Sequence, residues 1–150
     1  MTKIRIHFLT TILIMAFIFF QSALSGDVSG AESGFIVDLI TRILDTDPET
    51  ASFVVRKLAH FTEYVILGIF LALDAVDIAG RREAENSTFL LWLIPFIIGT
   101  LYAVTDELHQ SFVPGRSCEI RDMMIDCAGV AVGALITIRI VAGRIVRSAE

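Results

Sequence analysis

Apolar residues are concentrated in four long stretches of this chain, each about as long as a helix that crosses a bilayer. Such a helix needs about 20 mostly apolar residues, because it rises only ~1.5 Å per residue and must satisfy its backbone hydrogen bonds internally. The segments between the stretches carry most of the charge, glycine and proline. The pattern predicts an all-α membrane bundle with four transmembrane helices, over residues 4–24, 58–76, 89–108 and 123–141.

A shorter segment between the first two stretches has a different pattern. Within residues 35–44 the apolar side chains recur at helical spacing and the polar ones fall opposite. We expect an amphipathic helix on the outer membrane surface, or alternatively a short helix packed over the mouth of the bundle. Asp47 and Pro48 then supply an N-cap and a first-turn proline, so the second long helix is expected to begin near Glu49.

Composition agrees with a membrane protein. Hydrophobic residues make up 55% of the 150 residues, above the ~45–50% of ordinary soluble domains. The formal net charge of -5 provides no basic field that would attract nucleic acid. We therefore expect one membrane domain over residues 1–150, with the lipid bilayer as its environment and no nucleic-acid partner.

The N-terminal stretch has two interpretations. Lys3 and Arg5 precede it and the small residues at 23–26 end it, which also fits a cleavable signal peptide. Its apolar part exceeds the ~7–15 residues of a signal-peptide core, which favours a retained span. Basic residues are retained on the cytoplasmic side, and most of the twelve fall on the side of both termini. These are Lys3, Arg5, Arg81, Arg82, Arg139, Arg144 and Arg147.

Ionisable residues gather near the outer ends of three predicted spans, although a charge at bilayer depth costs at least ~2.5–3.5 kcal/mol. Any one carboxylate could simply lie in the headgroup region. However, the spacing places each set on one helical face or its flank, and the topology brings the sets together with a Pro-Gly turn and an arginine. A shared recess is therefore predicted, with Arg116 as the partner of the surplus carboxylates. Its members are His60, Glu63, Tyr64, Tyr102, Asp106, Glu107, His109, Gln110, Arg116, Asp122 and Asp126.

Several other residues have simpler interpretations. Gly129 and Gly133 are spaced as small-xxx-small, which favours close packing by another helix of the bundle, with a homo-oligomer contact as the alternative. Asp74 and Asp77 precede two arginines and are interpreted as solvated carboxylates at a helix end. His7 is interpreted as an isolated interfacial or packed histidine.

Three motifs between residues 57 and 133 resemble those of a known family. They are Lys57-x-x-His60-Phe61-x-Glu63-Tyr64-x-x-Leu67-Gly68, Asp106-Glu107-x-x-Gln110-x-Phe112-x-Pro114-Gly115-Arg116 and Asp122-x-x-x-Asp126-x-x-Gly129. In these residues the chain is similar to the VanZ-like family of small bacterial membrane proteins. The resemblance implies a multi-pass protein of the bacterial cytoplasmic membrane. The founding member is associated with low-level resistance to the glycopeptide antibiotic teicoplanin, and no established reaction comes with the family.

The first functional hypothesis is a non-catalytic protein of the cell envelope. Its outer polar pocket would bind a headgroup, a cell-wall precursor or a glycopeptide and lower susceptibility to teicoplanin. Arg116 and Lys57 would hold an anionic group while polar neighbours accept hydrogen bonds. We expect no cofactor and no metal in this case. The predicted ligand-binding residues are Lys57, His60, Glu63, Tyr64, Asp106, Glu107, Gln110, Arg116, Asp122 and Asp126.

The alternative is a membrane-embedded enzyme that acts on a lipid-linked substrate. The carboxylates and imidazoles of the cluster suit a divalent ion, and paired carboxylates can divide acid and base roles. No ligand spacing such as H-E-x-x-H and no nucleophile elbow indicates a particular reaction. A transporter is disfavoured, because the middles of the spans are nearly free of ionisable groups.

Overall fold

The structure is a computed structural model that describes residues 2–23, 34–81, 88–114, 116 and 118–147. These residues form helices and short connections and contain no strand, so the predicted all-α architecture is confirmed for them. Residues 24–26, which would end a signal peptide, and Arg82 and Gly115 lie outside the described residues. In chain order the helices are α1 (Thr2–Ala23), α2 (Gly34–Leu44), α3 (Pro48–Arg81), α4 (Thr88–Gln110) and α5 (Ile120–Arg147).

Within the described residues, three helices rather than the predicted four are long and apolar enough to cross a membrane. The predicted span at residues 58–76 is not among them, so the fourth span stays a prediction. This segment lies within α3, and its polar residues His60, Glu63 and Asp74 lower its apolar character. The three qualifying segments are Arg5–Ala23, Phe89–Gln110 and Ile120–Val141.

Helix α3 is the centre of the bundle, because it contacts each of the other four helices and packs most extensively against α5. A Cβ atom at Gly129 of α5 would lie 2.7 Å from the carbonyl oxygen of Phe61, and one at Gly133 would lie 2.8 Å from the amide nitrogen of Ile69. Only glycine fits this close approach. The prediction of internal packing is confirmed, and a dimer contact through these two glycines would have to displace α3.

The core and the surface of the bundle are both apolar. Ile18, Leu67 and Val130 are buried between α1, α3 and α5. Large apolar side chains such as Phe8 and Leu101 are exposed on the outside. Helices that turn apolar residues outward as well as inward are suited to lipid rather than to water.

Helix α2 is amphipathic, as predicted, and has no buried residue. Ile36 and Ile40 line a groove against α3, whereas Phe35 and Ile43 are exposed. The helix therefore covers one flank of α3 and leaves apolar side chains free at the surface.

The start of α3 also agrees with its sequence. Asp45 adopts a left-handed φ of 48°, a conformation that Asp tolerates better than most residues. Asp47 then caps the helix, because its Oδ1 accepts a hydrogen bond of 2.9 Å from the amide of Thr50 and its Oδ2 accepts one of 2.7 Å from the Thr50 hydroxyl. Helix α3 therefore begins at Pro48, and the predicted N-cap and first-turn proline are confirmed.

Candidate ligand-binding recess

A polar recess of about 250 Å³ lies between α3, α4, α5 and the connection from α4 to α5. Five of the predicted ligand-binding residues line it, from all three helices and the connection. The lining carries three cationic side chains and two carboxylates, so cations exceed carboxylates by one. The lining residues are Phe53, Arg56, Lys57, His60, Gln110, Arg116, Glu119 and Asp122.

Two of the cations are held in place by neighbouring groups. Lys57 forms an ion pair with Asp122, and its Nζ lies 5.0 Å from the centre of the Phe53 ring. Arg116 donates a hydrogen bond of 3.2 Å to the Gln110 side-chain carbonyl. Burial lowers the pKa of the Arg116 guanidinium, and the positive charge of Arg56 adds to this. An arginine nevertheless stays protonated at neutral pH, so a bound anion would stabilise this site.

Behind the lining, one carboxylate oxygen of α4 bonds to a side chain of α1 and to one of α4 itself. Oδ2 of Asp106 accepts hydrogen bonds from the Ser22 hydroxyl at 2.8 Å and from the Gln110 amide at 3.1 Å. Gln110 therefore links the buried acid to Arg116. Ser22 was not predicted as a site residue, although its position at the outer end of the first predicted span was a signal that could have found it.

Three predicted residues form the recess floor, the name used here for His60, Asp106 and Asp126. One potential ligand atom from each lies within 4.8 Å of the others. The two aspartates are only 2% and 1% exposed. Among the described residues, neither oxygen of Asp126 has a hydrogen-bond partner, and Oδ1 of Asp106 also lacks one. The Nδ1 of His60 lies 3.8 Å from Oδ1 of Asp126. A buried carboxylate without a partner is costly, so the floor favours a proton or a cation.

Glu107 is buried and bonds to the backbone of the protein rather than facing the recess. Its side chain is 1% exposed, and its Oε2 accepts a hydrogen bond of 3.0 Å from the amide of Glu119. This amide precedes the first residue of α5. Glu107 therefore fixes the beginning of α5 and, with it, the position of Asp122.

Glu63 and Tyr64 do not line the recess. Tyr64 is fully buried, with its ring centre 6.2 Å from that of Tyr102. Glu63 lines two apolar grooves, one on each flank of α3. The groove between α1 and α3, here called the α1 groove, has a volume of about 210 Å³ and includes Leu13 and Phe17. The groove between α2 and α3, here called the α2 groove, has a volume of about 390 Å³. Its other lining residues are Ile36, Ile40, Val55, Leu58, Ala59 and Thr62. Glu63 therefore belongs to both apolar grooves.

Two further members of the predicted cluster contact α1. The Tyr102 hydroxyl donates a hydrogen bond of 2.5 Å to the carbonyl of Met15. His109 stacks on Phe19, with ring centres 4.3 Å apart. These residues attach α4 to α1 beside the recess.

A second polar cluster lies near the other end of α3 and corrects the simpler interpretation of its residues. His7 Nδ1 lies 2.8 Å from Oδ2 of Asp77, and the Thr11 hydroxyl donates a hydrogen bond of 2.7 Å to Oδ2 of Asp74. The interpretation of the two aspartates as solvated carboxylates is therefore wrong, and His7 is not isolated. The i, i+3 and i, i+4 spacings that place each pair on one helical face were the available signal. We call these four residues the His7 cluster.

Comparison with known proteins identifies the family. The model of the VanZ/LLP1 family matches residues 7–142. No curated protein and no solved structure matches the chain at a significant level. The match covers every residue of the recess and confirms the resemblance seen in the motifs. With three helices able to cross a membrane, it indicates a membrane protein, and the chain belongs to the VanZ/LLP1 family.

Proposed function

We propose that this protein binds the anionic headgroup of an envelope lipid or lipid-linked cell-wall precursor in the recess, without catalysing a reaction. The observation that carries the proposal is the position of three cations around a polar recess beside apolar grooves that flank the same helix. A ligand that suits both regions has a charged head and apolar chains.

The charges of the recess support an anionic headgroup. Lys57 is offset by Asp122, whereas the acceptors of Arg116 among the described residues are neutral, namely the side chain of Gln110 and the carbonyl of Gln21. A guanidinium offers a planar fork of donors that fits phosphate or carboxylate oxygens. Arg116, with Arg56 beside it, is therefore the proposed centre of headgroup recognition.

The two grooves support the lipid part of the ligand. The lining of the α2 groove is apolar except for Thr62 and Glu63, and the amphipathic α2 forms its outer wall. Because Glu63 lies three residues beyond His60, on the same face of α3, it stands between the grooves and the recess. Acyl chains along a groove would place a headgroup at the recess.

We also propose that α3 crosses the membrane as a fourth span, with the recess on the outer side and both termini in the cytoplasm. Two of the charges of α3 are paired with residues of other helices. Asp77 contacts His7, and Lys57 contacts Asp122. With these partners supplied by α1 and α5, α3 can lie in lipid at a lower cost than its sequence suggests.

Binding to lipid of defined charge tests the headgroup proposal. We expect the purified full chain in nanodiscs to bind phosphatidylglycerol more tightly than zwitterionic phosphatidylcholine, as measured by native mass spectrometry. Arg116→Gln should weaken phosphatidylglycerol binding at least tenfold, because it removes the charged fork. Arg139→Gln, at an exposed arginine of α5, is the matched control and should bind as the parent does. Equal binding by the parent and Arg116→Gln would overturn the proposal.

Teicoplanin susceptibility provides a cellular test of the family association. A protein that occupies a lipid-linked precursor alters the access of the antibiotic to its target. In cells that this chain makes less susceptible, Arg116→Glu should restore susceptibility while membrane abundance stays unchanged. Resistance that survives this charge reversal at normal abundance would contradict a role for the recess.

A second candidate is an enzyme that acts on the same class of lipid, and the convergence of His60, Asp106 and Asp126 favours it. A His and two carboxylates suit acid-base or metal-assisted chemistry. Mass spectrometry of a lipid-linked substrate incubated with the protein should then detect a released headgroup that is lost with Asp126→Asn. An unchanged substrate leaves the binding function as the better explanation.

A further inference from the structure

We infer that the recess floor is a binding site for one divalent cation, held by His60 of α3, Asp106 of α4 and Asp126 of α5. This inference goes beyond the proposed headgroup binding and needs no lipid. It also differs from the expectation drawn from the sequence, which was that a binding protein of this kind holds no metal.

The geometry supports a shared ion. One atom from each side chain lies within 4.8 Å of the other two. Two ligand atoms that each lie ~2.1 Å from a metal are at most ~4.2 Å apart. Small rotations of the side chains would therefore bring the three atoms to coordination distance. The ligands come from three different helices, so an ion there would join α3, α4 and α5.

The unpartnered oxygens are the independent observation that points to a ligand. Asp126 is 99% buried and both its oxygens lack a hydrogen-bond partner. Asp106 is bonded through one oxygen and leaves the other free. Among the side chains described, Lys57 pairs with Asp122 and Arg116 bonds to Gln110, so neither of these two cations is paired with Asp106 or Asp126. A bound cation would satisfy the two acids that remain.

The donor set indicates the kind of ion. An imidazole nitrogen with two carboxylate oxygens suits Mn²⁺ or Zn²⁺ better than Ca²⁺ or Mg²⁺, which prefer oxygen ligands alone. Ser22 and Gln110 fix the orientation of Asp106, in the way that outer partners of metal ligands commonly do. The recess provides the entry path, because His60 belongs both to its lining and to the floor.

Metal binding by the full chain in detergent micelles tests the inference. After treatment with a chelator and its removal, we expect one Mn²⁺ per chain in a titration followed by the loss of the free-ion EPR signal, and we expect Zn²⁺ to compete. Asp126→Asn and His60→Gln should each weaken Mn²⁺ binding at least tenfold. Asp77→Asn is the matched control, since it changes a carboxylate of α3, the helix of His60, that lies in the His7 cluster and outside the floor. This variant should bind Mn²⁺ as tightly as the parent does.

Thermal unfolding separates loss of the site from loss of the fold. Mn²⁺ should raise the unfolding temperature of the parent and of Asp77→Asn, but not that of Asp126→Asn. Without metal, Asp126→Asn should unfold at or above the temperature of the parent, because a neutral amide is easier to bury than a lone carboxylate. A parent that binds neither Mn²⁺ nor Zn²⁺, or an Asp126→Asn variant that binds Mn²⁺ as tightly as the parent, would overturn the inference.

Discussion

Helix α3 takes part in two clusters of ionisable residues, and the two are built in different ways. In the His7 cluster, α1 supplies a partner to each acid, with His7 2.8 Å from Asp77 and Thr11 2.7 Å from Asp74. In the recess floor, Asp126 has no hydrogen-bond partner among the described residues, and its Oδ1 lies 3.8 Å from Nδ1 of His60. His60 and Asp77 are 17 residues apart, so about 25 Å of helix separates the clusters.

This difference separates a contact that holds helices together from a candidate ligand-binding site. Polar side chains that bond across two helices stabilise their association in lipid. Buried acids that bond to nothing cost free energy, and such residues are found where function requires them. The recess floor adjoins a cavity of about 250 Å³. On this comparison we expect the His7 cluster to hold helices together and the recess floor to bind a ligand.

The largest expected change in the free energy of unfolding comes from forcing α3 and α5 apart. Both helices supply residues to the recess floor, whereas α5 supplies none to the His7 cluster. Gly133→Leu places a side chain against the backbone of Val65 and Ile69. Overpacking costs ~1–3 kcal/mol, and the upper end is expected here because backbone atoms cannot move aside. Reversible unfolding in mixed micelles measures the loss. Val132→Leu, at an exposed neighbour, should be nearly neutral, and a similar loss in both variants would contradict the proposed close approach.

The next prediction is that removing an acid changes the free energy of unfolding in opposite directions in the two clusters. Asp77→Ala removes the partner of His7 and should lower the free energy of unfolding by ~1–2 kcal/mol. Asp126→Asn, measured without metal, should raise it by ~1 kcal/mol, because it neutralises an acid that has no partner. Both variants are measured in the same micelles as the parent. Loss of stability in both would show that Asp126 is a structural acid, and the distinction between the clusters would then fail.

Much of this comparison could be predicted from patterns within single helices. The length of the apolar stretches located the long helices, and helical spacing located α2. Asp47 and Pro48 marked the start of α3, and the spacing of Gly129 and Gly133 indicated close packing. The convergence of His60, Asp106 and Asp126 followed from topology, because alternate connections return polar helix ends to the same side. In each case the information lies in one helix or in the order of helices.

Contacts that depend on the rotation and depth of one helix against another could not be predicted in this way. Ser22 reaches Asp106, and His7 reaches Asp77, only because α1 lies at a particular height beside its neighbours. The polar residues of α3 likewise have partners on other helices that its hydropathy alone does not indicate. The pattern within one helix does not show which residues of other helices lie beside it. For this reason Asp77 was predicted to be solvated.

The smallest expected effect involves Asp47, the N-cap of α3, an acid that is exposed and bonded locally. The amide and hydroxyl of Thr50 lower the pKa of the Asp47 carboxyl below its ordinary value of 3.8. Its capping contribution is therefore present above about pH 4 and is lost as the pH falls through the lowered pKa. Asp47→Ala should unfold slightly more easily than the parent at pH 7, and the difference should shrink toward pH 2. Asp47→Asn, which caps without titrating, should hold its advantage over Asp47→Ala at both pH values. A gap between the parent and Asp47→Ala that stays constant with pH would mean that the stabilisation does not come from the ionised cap.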